Sequence, residues 1–84
     1  MRADSATQSA VRRVVLEATE ADDRLQVTQT VASHGWGDVL YVDVYGRSPE
    51  AAAPDDLDPD LRRTVAAVSG RPYARVTINW RLNI

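Results

Sequence analysis

The stretch YARVTINWRLNI, from Tyr73 to Ile84, alternates between apolar and mostly polar side chains along its whole length. Its even positions are all apolar, and its odd positions from Arg75 onward are all polar. An alternation of period two predicts a β-strand with one face in the core and the other against water or a polar partner. The sheet that contains this strand is therefore expected to have one polar face.

Two further strands are predicted upstream. Leu25 to Ala32 alternates with Leu25, Val27 and Val31 on its inner face, where Gln29 is the exception. Asp38 to Tyr45 places Leu40, Val42 and Val44 on one side and Val39, Tyr41, Asp43 and Tyr45 on the other. The five residues from Ser33 to Gly37 include two glycines, so we expect an antiparallel hairpin.

A helix is predicted before the hairpin, from Ser5 to about Ala21. Ser5 and Gln8 have the spacing of a capping box. The apolar stripe consists of Val11, Val14, Val15 and Ala18. This helix is expected to pack on the inner face of the sheet.

A second helix is predicted between the hairpin and the last strand. Asp58 suits its N-cap and Pro59 its first helical position, while Gly70 suits a left-handed C-terminal cap. Its buried stripe consists of Leu57, Leu61, Val65 and Val68. The preceding residues, Arg47 to Asp56, show no periodicity and are predicted to form a connector that can fold back over the sheet.

The element order helix, strand, strand, helix, strand predicts a single α+β domain spanning residues 1–84. A helical crossover makes the third strand parallel to the second, either beside it or beyond the first. We expect a small two-layer α/β sandwich in which two helices cover one face of a three-stranded mixed sheet. The opposite face is then left without a covering element.

That open face is the candidate interaction site. It is expected to carry Tyr41, Asp43, Tyr45, Tyr73, Arg75, Asn79 and Arg81. Tyrosine and arginine are enriched at the centres of protein interfaces, but aromatic and arginine side chains on a sheet also bind single-stranded nucleic acid. Simple solvation is a third interpretation, because tyrosine opposite threonine or arginine is an ordinary cross-strand pair.

Composition narrows the function classes. The chain lacks cysteine, which excludes disulfides and thiolate metal sites, and its net charge of -2 argues against indiscriminate binding to nucleic acid. No signal-peptide-like or membrane-spanning run of apolar residues occurs, so we expect a cytoplasmic protein without direct membrane insertion.

No catalytic, cofactor or metal motif is present. Phosphate-binding loops, dinucleotide fingerprints and nucleophile elbows are all missing. The aspartates at positions 55, 56, 58 and 60 begin like a calcium loop, but Leu61 and Ala67 occupy the sixth and twelfth places, so we interpret them as helix-capping residues. His34 is expected on a surface loop. Trp36 can either plug the end of the sheet or be an exposed anchor for a partner, and we favour the plug because a small core needs large side chains. We therefore predict no enzyme activity.

Several stretches resemble the alkaline shock protein family of bacterial envelope-stress proteins. They are a valine-rich first helix, the strand end VDVYG from Val42 to Gly46, an amphipathic helix from Leu61 closing at Gly70, and the strand VTIN from Val76 to Asn79. The long Ser48 to Asp56 connector and the tight Asp22-Asp23 turn depart from that family's pattern. The resemblance implies a non-enzymatic protein that assembles and is held near the membrane by partners.

The sequence leads to two functional hypotheses. The first is a non-catalytic module that uses the open face to self-associate, as a homo-oligomer, or to bind a protein partner. The second is a single-stranded RNA or DNA-binding domain that uses the same residues.

Overall fold

The computed structural model describes residues 1–20, 25–70 and 75–84. These residues form α1 (Ser5–Glu20), β1 (Gln26–His34), β2 (Val39–Arg47), α2 (Leu57–Val68) and β3 (Arg75–Asn83). The predicted element order is confirmed. The predicted end of the first helix at Ala21, the Asp22-Asp23 turn and the start of the last strand at Tyr73 lie outside the described residues.

The three strands form one sheet in the order β1-β2-β3. β1 and β2 are antiparallel, whereas β2 and β3 are parallel over an unbroken register from Val39 opposite Arg75 to Arg47 opposite Asn83. The structure thus selects one of the two predicted positions for the last strand. β3 lies beside β2, so β2 is the central strand and β1 and β3 are the edges.

Both helices pack on the same face of the sheet. The largest fully buried side chains lie between the helices and the central strand. They are Val11 and Val15 of α1, Leu40, Val42 and Val44 of β2, and Leu61 and Val65 of α2. Burial of each such side chain contributes roughly 1.5–3 kcal/mol. The predicted inner face of β2 is confirmed.

A β-bulge in β1 changes which of its side chains face the helices. Val27 pairs with Gly46, but Gln29 already pairs with Tyr45, so one extra residue lies between them. Because one inserted residue reverses the alternation, Val31 lies on the open face and Ala32 is fully buried. The prediction that Val31 shares a face with Leu25 and Val27 is therefore wrong.

The helix caps also differ from the prediction. Thr7 donates its backbone N–H to Asp4 Oδ1 at 2.8 Å, which makes Asp4 the N-cap of α1. The side chain of Gln8 does not close a capping box. Instead its Nε2 donates to the carbonyl of Ala32 at 2.6 Å, and its Oε1 accepts from the N–H of Ala32 at 2.8 Å. Gln8 thereby ties α1 to β1.

α2 begins one residue before the predicted cap. Asp56 is its N-cap residue, although the Asp56 side chain makes no capping hydrogen bond, and Asp58 and Pro59 lie inside the first turn. At the other end Gly70 has a φ of 77° and donates its N–H to the carbonyl of Ala67 at 3.3 Å. The left-handed glycine cap is confirmed, but the prediction that Asp58 is the N-cap is wrong.

Candidate functional site: the open face of the sheet

The face of the sheet opposite the helices brings most of the predicted site residues together. Strand register places these residues and their neighbours in three cross-strand rows. The rows are Ser33, Tyr41 and Thr77; Val31, Asp43 and Asn79; and Gln29, Tyr45 and Arg81. Arg75 continues this face beside Val39. We call this surface the open face. Among the predicted site residues, Tyr73 alone lies outside the described ranges.

The aromatic side chains of the open face are accessible. Tyr41 is 41% exposed and Tyr45 is 36% exposed, and Arg75 is exposed as well. Asp43 and Asn79, in the row between the two tyrosines, are half-buried. These exposed side chains make the open face the candidate binding surface.

One ion pair crosses the centre of the open face. Arg81 Nε donates to Asp43 Oδ1 at 3.3 Å, joining β3 to β2. The Arg81 side chain is 58% exposed and that of Asp43 is 25% exposed, so the pair is solvated rather than buried. The charge of Arg81 is therefore matched by a carboxylate on the same surface.

The connector from Arg47 to Asp56 does not reach these side chains. Ser48 donates its backbone N–H to the carbonyl of Asn83 at 2.8 Å, and its hydroxyl donates to the carbonyl of Ala52 at 3.0 Å. A small cavity of about 70 Å³ separates this loop from Leu25. In the described part of the chain, the connector lies at one end of the sheet and leaves the two tyrosines exposed.

Trp36 does not fill the end of the sheet. It is 96% exposed, so the prediction that it plugs the sheet is wrong. It lies in the β1-β2 turn, at the same end of the sheet as Tyr41 and Arg75. The available signal was its position between Gly35 and Gly37, since a residue at the tip of a tight turn projects beyond the sheet that it would have to fill.

The ring of Tyr41 lies against this same turn. A Cβ added to Gly35 would clash with the Tyr41 ring, so the absence of a side chain at Gly35 gives the ring its place. The turn and the open face are thus in direct contact. Tyr41 and Arg75 therefore lie at the end of the open face that adjoins the turn carrying Trp36.

His34 is not a loop residue as predicted. It is the last residue of β1, pairs with Leu40 and is half-buried, and its Nδ1 has no hydrogen-bond partner among the described residues. No group of three or more histidine or acidic residues that would hold a metal ion occurs within residues 1–20, 25–70 and 75–84. The described helices also include none with the length and apolarity needed to cross a bilayer.

The aspartates near α2 make structural contacts. Asp58 Oδ1 accepts a hydrogen bond from Trp80 Nε1 at 2.9 Å, and its Oδ2 lies 2.8 Å from Arg62 Nε. Asp60 lies 3.7 Å from Arg63. Asp58 therefore fixes the start of α2 to β3, a role that its position in the sequence did not reveal.

A groove lies between α1 and the start of β1. This open groove of about 810 Å³ is lined by both basic and acidic side chains of α1 together with Leu16, Leu25 and Val27. Its mixed charges favour no single ligand class.

No protein family, curated protein or solved structure matches this chain. The resemblance to alkaline shock proteins therefore stays a prediction.

Proposed function

We propose that this protein is a non-catalytic interaction module that binds a protein partner through the open face. The observation that carries the proposal is that Tyr41 and Arg75 are both exposed at one end of that face, next to the turn that carries the exposed Trp36. Tryptophan, tyrosine and arginine are the residues in which interface binding energy concentrates. Their rigid or planar side chains bury a large area at a modest cost in conformational entropy.

The ion pair favours a protein over a nucleic acid. A single-stranded nucleic acid needs a groove of positive charge along its phosphates. On the open face, the Asp43 carboxylate holds Arg81 and would repel a phosphate at the centre of the sheet. A protein partner can instead meet Asp43 and Arg81 with complementary polar groups between its contacts with the two tyrosines.

The resemblance to alkaline shock proteins supports an extension of this proposal. A bacterial stress-response protein that works in the cytoplasm through protein contacts needs neither an active site nor a cofactor. In that setting the open face supplies the contact with the partner that recruits the protein.

The test is affinity capture of the tagged protein from its native lysate after nuclease treatment. Tyr41→Ala with Arg75→Ala removes an aromatic anchor and a cation from the open face while leaving the helix-facing core intact. We expect the wild-type protein to retain a defined partner, and the double variant to lose at least 90% of it, since two such anchors together contribute more than 1.4 kcal/mol.

The matched control is Leu16→Ala with Arg63→Ala. It also removes one large side chain and one arginine, both exposed, but from the helical layer. This control should retain the partner at the wild-type level. Loss of the partner from the control, or capture that disappears on nuclease treatment, would overturn the proposal, the second result in favour of nucleic acid.

A further inference from the structure

The two edge strands of the sheet, β1 and β3, differ in how far their outer backbone groups are protected from pairing with another strand. At β1, Ala3 donates its N–H to the carbonyl of Ala32 at 2.9 Å, and His34 donates its N–H to the carbonyl of Met1 at 2.7 Å. Gln8 binds the remaining N–H of Ala32, and the bulge after Val27 distorts the rest of the strand. A covering segment and a bulge are two ordinary protections of an edge strand against pairing with another chain.

β3 has neither protection in the described part of the chain. Its register with β2 is unbroken over all nine residues, and it contains no proline. Five of its nine residues are β-branched, aromatic or leucine, which favour strands and packing on a sheet. It is therefore a long, regular edge of the kind that pairs with another strand.

The hydrogen-bonding direction of β3 follows from its two ends. The N–H of Arg75 bonds to Asp38 O at 2.7 Å, and the carbonyl of Asn83 bonds to Ser48 N at 2.8 Å, so odd-numbered residues bond toward β2. Since backbone groups alternate sides along a strand, Val76, Ile78, Trp80 and Leu82 direct their N–H and C=O groups away from the sheet. These four residues supply four donors and four acceptors for a neighbouring strand.

We propose that a second copy of this chain pairs with β3 along this edge, antiparallel, about a two-fold axis at Asn79. Asn79 is the midpoint of β3, so this register pairs Arg75 with Asn83 of the second copy and uses the full strand. Ile78 and Trp80 of the second copy then form a hydrogen-bonded pair. Val76 and Leu82 form the next such pair along the strand.

Charge selects this register over its neighbour. A two-fold axis at Ile78 would place Arg75 opposite Arg81 twice, and like charges directly opposite destabilise a strand pair. The axis at Asn79 places Thr77 opposite Arg81 and leaves no arginine facing another. It also aligns apolar side chains with apolar ones on the helical side of the sheet.

This pairing has a consequence for binding. Opposed residues of paired strands project to the same side, so the two open faces join into one surface on a continuous six-stranded sheet. The dimer presents two copies of Tyr41, Tyr45 and Arg75 in a fixed relation. A partner that engages both copies would gain avidity without any new kind of contact.

A single introduced cysteine tests the register directly, because the chain has no cysteine of its own. At the two-fold axis Asn79 faces its own copy as a non-hydrogen-bonded pair, with Cα atoms about 4.5 Å apart, within reach of a disulfide. Asn79→Cys should form a covalent dimer under mild oxidation. Thr77→Cys is the matched control on the same strand and face, and its two copies lie about 13 Å apart along the strand direction.

The second measurement is the sedimentation of purified protein without any partner, which keeps this test independent of the proposed docking function. The wild-type chain and Gln29→Lys, which adds a charge on the β1 edge, should sediment as dimers. Asn79→Lys sets two like charges against each other at the axis and should sediment as a monomer with an unchanged circular dichroism spectrum. A monomeric wild-type chain, or equal cross-linking of Asn79→Cys and Thr77→Cys, would overturn the inference.

Discussion

Arg81 Nε donates to Asp43 Oδ1 at 3.3 Å across β3 and β2, at the centre of the face that the helices leave uncovered. The row on one side of Asp43 contains Tyr41, and the row on the other side contains Tyr45. The open face therefore combines a neutralised polar centre with accessible aromatic groups on both sides. This pattern suits a protein contact in which aromatic anchors flank specific polar positions at the centre.

Because this ion pair is solvated, it should contribute to specificity far more than to stability. Asp43→Asn is expected to change the free energy of unfolding by less than about 1 kcal/mol. The same substitution frees the charge of Arg81, so affinity for a single-stranded oligonucleotide should rise and become more sensitive to salt. Urea titration and binding isotherms at two salt concentrations check the two effects. A loss of several kcal/mol would show instead that the pair holds the sheet together.

The hydrogen bond from Trp80 to Asp58 should be a measurable part of the fold's stability. Trp80→Phe removes the indole donor and leaves the Asp58 carboxylate without that partner. Since a hydrogen bond to a charged group contributes about 1.5–3 kcal/mol, we expect the free energy of unfolding to fall by about 2 kcal/mol. Urea-induced unfolding followed by circular dichroism measures this loss.

Asp58→Asn serves as the control for that experiment. It retains an oxygen acceptor for Trp80 while weakening the partly exposed contact with Arg62. Its cost should stay near 1 kcal/mol or below. Equal losses for Trp80→Phe and Asp58→Asn would mean that the contact with Arg62, and not the indole, fixes the start of α2.

Gly46 is expected to be intolerant of any side chain. A Cβ at this position would clash with the carbonyl oxygen of Gln26 near the β1 bulge. That oxygen belongs to the backbone, so it cannot move aside as the end of a flexible side chain could. Gly46→Ala should lower the free energy of unfolding by about 2 kcal/mol or more. Gly37 has a φ of 68° but open space around it, so Gly37→Ala should cost only about 1 kcal/mol. Thermal or urea unfolding of both variants would contradict this account if Gly37→Ala proved the more damaging.

Asp4 should give the stability of α1 a dependence on pH. The backbone N–H of Thr7 holds the pKa of Asp4 below its ordinary value of 3.8. A lowered folded-state pKa stabilises the protein at pH values above the ordinary one, and this contribution is lost as pH falls through the folded-state pKa.

Asp4→Asn isolates that effect, because asparagine caps helices about as well as aspartate but does not titrate. The urea midpoint of the wild-type protein relative to Asp4→Asn should be highest above about pH 5 and should decline below about pH 4. A difference that does not change with pH would show that the charge of Asp4 contributes nothing to the cap.

The element order and the buried face of β2 were predictable because periodicity reports burial directly. Leu40, Val42 and Val44 occupy every second position of β2, so they share one face of the strand, and their apolar side chains mark that face as the buried one. β1 was harder to predict, because its bulge inserts one residue and reverses the pattern from Gln29 onward. Gln29, which interrupts the apolar positions of the predicted inner face, was the sign of this bulge.

The role of Asp58 depends on a tertiary contact that local patterns do not contain, whereas the exposure of Trp36 follows from the tight turn around it. Asp58 has the residue type and the position expected of a helix cap, but its carboxylate accepts a hydrogen bond from Trp80, which is 22 residues away in the sequence. The large size of the Trp36 side chain favours a place in the core, but the tight turn carries it into solvent. Most of the candidate site was predictable, since alternation places Tyr41, Asp43 and Tyr45 together whatever the strand order.

The most direct test of the central claim is hydroxyl-radical footprinting of the protein while it is bound to the partner recovered by capture. Tyr41 and Tyr45 react readily with hydroxyl radicals when exposed, and Leu16 reports on the helical layer of the same molecule. If a protein docks on the open face, both tyrosines should become protected while the reactivity of Leu16 stays at its unbound level. Unchanged tyrosines with a protected Leu16 would contradict the account and place the contact on the helices.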